Sequence, residues 1–78
     1  MNKARSEKLA KLAGELDDIK LQIETLRDAE QEYYDNLSES QQESEKGETS
    51  NTAIEEMESV IESLETATNS LNEAAHIE

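Results

Sequence analysis

The sequence predicts an all-α protein: an antiparallel two-helix coiled-coil hairpin that pairs with a second copy into a four-helix bundle. Three observations carry this. Proline is absent and glycine occurs only at Gly14 and Gly47, in a chain rich in Ala, Leu, Glu, Gln and Lys. That is the composition of helix formers. Two apolar series recur at alternating spacings of three and four residues, the a and d positions of a heptad. Laid antiparallel, the two series match about a fold-back near residue 40.

The first helix is expected over about residues 3–36. Its apolar series is Leu9, Leu12, Leu16, Ile19, Ile23 and Leu26, and the spacing continues through Glu30, Tyr33 and Leu37. The turn is expected over about 37–43, where "DNLSES" supplies side chains that bond the backbone locally and compete with helix. The second helix is expected over about 44–76, with the series Ile54, Met57, Ile61, Leu64, Thr68, Leu71 and Ala75. Ser44 is a candidate N-cap. "TAIE", Thr52 to Glu55, also reads as a capping box. This second start signal leaves open that residues 44–51 fray or form a separate turn.

The register follows from pairing the series. Ile54 can face Leu26, Met57 Ile23, Ile61 Ile19, Leu64 Leu16, Thr68 Leu12 and Leu71 Leu9. Each pair of residue numbers adds to 80, and each joins an a to a d position, as an antiparallel seam requires. The same register sets bulky Tyr33 opposite Gly47. A turn near residues 47–51 would pair Ile54 with Ser44 and strand the apolar residues from Leu9 to Ile19, a loss of burial that rules it out.

Two helices make a thin core, and a 78-residue chain buries little alone. The second helix carries a further small apolar stripe at its g positions: Ala53, Val60, Ala67 and Ala74. Such a stripe widens the apolar face and lets another helix approach, which is the basis for expecting a homodimer. The alternative reading is helix propensity, since Ala suits any exposed helix position. Leu21 falls at an outward f position, and a lone exposed Leu needs no explanation.

Charge restricts the partners. The net charge is −13. Residues 1–27 carry six basic and five acidic groups, and residues 28–78 carry one basic group, Lys46, and fifteen acidic ones. Nucleic acid and anionic membrane are poor partners for such a surface, and a basic protein surface is the natural one. No apolar run approaches the ~20 residues that span a bilayer. "MNKARSEKLAKLAGELDD" lacks a signal-peptide apolar core. A cytoplasmic protein is expected.

No catalytic residue, cofactor site or metal site is assigned. The chain has no cysteine and one histidine. That histidine, His76, sits at the end of the second helix, where the helix dipole favours a cation. "DDIKLQIE" and "EEMESVIE" are rich in carboxylates, but an acid pair needs a pocket to move its pKa. "DAEQEYYDNLSE" has the length of a calcium loop without the glycine at its sixth position. "EAAH", Glu73 to His76, is a single copy of the Glu-x-x-His spacing of di-iron bundles, on a face away from the seam.

The candidate partner-binding residues are Tyr34, Asp35 and Glu39 at the turn, and Glu55, Glu58, Glu62 and Glu65 along the second helix. An exposed aromatic beside carboxylates can anchor a protein partner; Tyr34 can equally staple the hairpin end. The four glutamates can be a solvated face, or can mimic nucleic acid in the phosphate-binding groove of a nuclease or DNA-binding protein.

"EQEYYDNLSESQQESEKGE", Glu30 to Glu48, resembles a signature of small uncharacterised phage and mobile-element proteins. That pattern reads Glu-Gln-Glu, aromatic-Asp-Asn, apolar-Pro-Glu-Ser-Leu-Gln, then Ser-Glu-Arg/Lys-Gly-Glu. This chain departs from it at Ser38, where the pattern has proline, and at Gln41, where it has leucine. The resemblance implies an acidic helical hairpin of phage-like origin and carries over no functional residue. The expected function is a non-enzymatic interaction module that binds and modulates, by inhibition, a host protein with a basic surface. The alternatives are a structural or assembly coiled coil of a phage particle and a small-ligand protein that sequesters a nucleotide.

Overall fold

Asn2 starts the first helix. In a computed structural model that describes residues 1–77, its Oδ1 accepts the backbone N–H of Arg5 at 2.8 Å, a side-chain N-cap that satisfies one of the donors the helix start leaves free. Helix α1 then runs Lys3–Asp35, helix α2 Glu39–Gln42 and helix α3 Glu45–Ala75. There is no strand among the described residues. α1 and α3 fold back on each other into a hairpin whose Cα atoms extend over 58 × 14 × 12 Å. At the open end the Met1 ammonium donates to the Ile77 carbonyl at 3.3 Å, so the two arms end level.

The turn is more ordered than a loop. Ser38 caps α2 with a reciprocal pair: its Oγ accepts from the Gln41 N–H at 3.3 Å, and its own N–H donates to Gln41 Oε1 at 3.0 Å. This is the Ser-x-x-Gln capping box. Gln42 Nε2 donates back to the Tyr34 carbonyl at 3.0 Å and ties α2 to the end of α1. Ser44 occupies the N-cap position of α3 but makes no side-chain cap bond there; its hydroxyl donates to the Gln41 carbonyl instead. The start signal at Thr52 is not used. Residues 45–51 are helical and Thr52 lies inside α3, because the ladder of backbone bonds is already running when it reaches that residue.

Gly47 is buried at this corner, and its closest neighbour is the Gln42 backbone rather than the Tyr33 ring. A Cβ on Gly47 would run into the Gln42 carbonyl. The glycine therefore lets α2 lie against the first turns of α3. Tyr33 stays 41% exposed, with the Lys46 ammonium 5.5 Å from its ring centroid.

The seam of α3 is the expected one, with Ile54 and Ile61 at its centre, 4% and 7% exposed. The seam of α1 is rotated from expectation. Leu12, Ile19 and Leu26 remain 40%, 45% and 62% exposed, while Ala13, one residue on from Leu12, is 2% exposed. The inward face runs through Leu9, Ala13, Leu16, Lys20, Ile23, Arg27, Glu30 and Tyr34, all buried or half-buried. A small residue at Ala13 lets the helices approach, and Lys20 and Arg27 lay apolar stems along the seam with their charged heads outward. The large residues at positions 12, 19, 26 and 33 are displaced to one flank.

Candidate functional site

Two flanks of the hairpin differ in chemistry. On the first, Leu26 and Val60 line one groove with Ile23, Met57 and the stem of Glu56. Tyr33 and Ala53 line the next groove toward the turn. The displaced row of α1 and the g row of α3 therefore share a flank. Leu12, Ile19, Leu26 and Tyr33 recur every seven residues on one helix, Ala53, Val60, Ala67 and Ala74 on the other. Val60 is 44% exposed, and the three alanines are half-buried. Exposed and half-buried apolar side chains from both arms therefore run along this flank.

The second flank is polar. Relative to Ile54 and Ile61 as a positions, Glu58 and Glu65 are e and Glu55 and Glu62 are b, across the seam from the g row. All four are exposed. Glu65 is engaged from the neighbouring helix: Lys20 Nζ lies 3.5 Å from its carboxylate and 3.6 Å from that of Asp17. Burial of the Lys20 stem pulls its pKa down, but the carboxylates of Glu65, Asp17 and Glu24 outweigh this and hold it above its ordinary value. No ion pair involves Glu55, Glu58 or Glu62 among the described residues, so these three carboxylates face water.

Charge is also graded along the rod. Residues 28–58, which form the turn end of both arms, hold eleven acidic residues and Lys46. At the open end, residues 1–11 hold four basic residues and Glu7, and residues 69–77 of the other arm hold one carboxylate, Glu73. The molecule is thus an electric dipole as well as an acidic rod.

Of the turn residues, Asp35 is exposed, and its carboxylate accepts from Gln31 Nε2 at 2.9 Å. Glu39 is exposed in the first turn of α2. Tyr34 is half-buried on the inward face of α1. The more exposed aromatic is Tyr33, which the heptad count had assigned to the seam. Next to it, the Ser50 hydroxyl, on a residue only 3% exposed, donates to Glu30 Oε2 at 2.6 Å. The groove there presents Glu30 and Glu45 against the single ammonium of Lys46, a poor match for a nucleotide phosphate. At the far end, His76 Nδ1 sits against the Asn72 carbonyl of its own helix. No described helix is long and apolar enough to cross a membrane. No protein-family model, curated protein or solved structure matches the chain.

Proposed function

We propose that this protein is a non-enzymatic acidic interaction module: a hairpin that pairs with a second copy through its apolar flank and offers its acidic flank to the basic surface of a partner protein, modulating it by occupying that surface. In this reading the dimer is a four-helix bundle, and the partner is a host protein of the phage or mobile element that encodes the hairpin. The observation that carries the reading is the division of α3 into two flanks. Glu55 and Glu58 stand free of ion pairs on the side away from Ala53 and Val60, and Glu62, also unpaired, borders the groove that Ala67 closes on the outer face of α3, so pairing through the apolar side leaves the acidic side open. A row of carboxylates about one helical turn apart is a rigid anionic strip, the kind of surface that competes with a nucleic-acid backbone. The partner class is therefore a protein that ordinarily holds nucleic acid.

The test is affinity capture from lysate of the encoding cell with the natural chain and with Glu55→Gln/Glu58→Gln/Glu62→Gln. A partner retained by the first, lost by the second and released by salt supports the reading. Such a partner's DNA binding should fall as the hairpin is added. Equal retention by the two chains would sink it.

A further inference from the structure

The apolar flank has a definite symmetry, and it fixes more than the fact of pairing. Resting on the dimer reading above, we infer that two copies pack flank to flank with their turns at opposite ends, about a two-fold axis that passes beside Ile19 and Val60. These two residues stand at about the same height on the two arms, in the axial alignment that the Ser50–Glu30 hydrogen bond marks. Each is the middle of a row spaced by sevens: Leu12, Ile19 and Leu26 on α1, Ala53, Val60 and Ala67 on α3. A two-fold axis there brings Leu12 onto Leu26 of the second copy, and Ala53 onto Ala67 of the second copy, on both helices at once. A surface that is self-complementary in this way is what a two-fold interface requires. The side of the rod that carries the two rows is about 58 Å by 14 Å in Cα outline, room enough for the ~800 Å² per partner of a stable interface only if the pairing runs the whole length of the hairpin.

Turns at the same end would also bury the rows, by setting the large residues of α1 on the small ones of α3. Charge decides between the two. With the turns together, two ends that each hold eleven carboxylates and one lysine face each other. With the turns opposed, Lys3, Arg5 and Lys8 come to the heights of Asp35, Tyr33 and Glu30 of the second copy. The basic end of each hairpin then lies against the acidic end of the other and offsets part of its charge. Tyr33, half exposed and already under the Lys46 ammonium, receives a guanidinium on the same flank.

The chain has no cysteine, so a single spin label at Ser40→Cys, exposed in the turn, reads the arrangement without touching the interface. Sedimentation should give the dimer mass, and the label-to-label distance should approach the 58 Å length of the rod. Ile19→Glu/Leu26→Glu should raise the dissociation constant at least 100-fold. A dimer with labels within about 25 Å, roughly two helix diameters, overturns the opposed arrangement while leaving the dimer reading intact. Monomer mass at every concentration overturns both. A dimer that the double glutamate variant leaves unchanged overturns the choice of flank.

Discussion

Ser50 Oγ lies 2.6 Å from Glu30 Oε2, a hydrogen bond across the two arms between residues twenty apart in the chain. Their numbers add to 80, the axial register expected from the two apolar series. The bond therefore extends the register of the hydrophobic seam into a polar layer next to the turn. Its donor is 3% exposed. A slip of α3 by one turn would leave the Ser50 hydroxyl buried without a partner, so the pair penalises misregister more than it adds to stability.

Ser50→Ala should cost about 1 kcal/mol, below the ~1.5–3 kcal/mol of a fully buried bond to a charged group because Glu30 keeps part of its hydration. Urea unfolding of Ser50→Ala, Glu30→Ala and the double variant gives the coupling. A coupling of about 1 kcal/mol is expected, and additivity of the two single changes would show that the bond does not hold the register.

The two glycines should respond in opposite directions. Nothing lies within 4 Å of a Cβ built on Gly14, in the interior of α1. Gly14→Ala should stabilise by up to ~1 kcal/mol through helix propensity alone. Gly47→Ala gains the same propensity but drives its methyl into the Gln42 backbone. A backbone cannot step aside as a side-chain tip can, so overpacking of about 1–3 kcal/mol should win. Melting temperatures of the two variants should move apart, and a rise in both would mean that α2 does not press on α3.

The seam of α3, the hairpin and its register were legible because each rests on a long periodic pattern. The rotation of α1 was not. Leu9, Leu16 and Ile23 can be flanked by either of two rows spaced by sevens, that of Leu12 and Ile19 or that of Ala13 and Lys20. Apolarity alone selects the first. The folded chain selects the second, because Ala13 permits close approach and the stem of Lys20 covers the seam while its head reaches Glu65. The helix starts divide similarly. Ser-x-x-Gln at Ser38 is a capping-box signature that "DNLSES", read as a turn, had hidden; Thr-x-x-Glu at Thr52 has the same form and is bypassed inside α3. Local motifs name possible caps, and the fold-back decides which one is used. The free acidic flank follows from heptad positions, whereas the engagement of Glu65 depends on that rotation of α1.

Thr68 gives a test of the seam itself. Its Oγ1 is buried and has no hydrogen-bond partner. An unsatisfied hydroxyl costs about 1–3 kcal/mol, and valine fills the same volume without it. Thr68→Val should therefore stabilise the hairpin by about 1 kcal/mol in urea unfolding. A loss of stability would show that the hydroxyl is satisfied in the folded protein.

Lys20 makes the stability of the seam depend on alkaline pH. Its pKa is raised above the ordinary 10.5 because, although burial opposes the charge, Glu65, Asp17 and Glu24 favour it more strongly. A raised lysine binds its proton more tightly folded than unfolded, so its contribution is complete below about pH 10.5 and is lost as pH rises through the folded value. Lys20→Met keeps an unbranched apolar side chain in the seam and removes the ammonium. The difference in melting temperature between the natural chain and this variant should stay constant from pH 7 to about pH 10. Above that it should shrink or reverse, as the natural chain alone loses its bridge to Glu65. Every other ionisable side chain is common to the two proteins and cancels in the difference. A difference that is flat to pH 12 would mean that the Lys20 ammonium contributes no more inside the hairpin than in the unfolded chain.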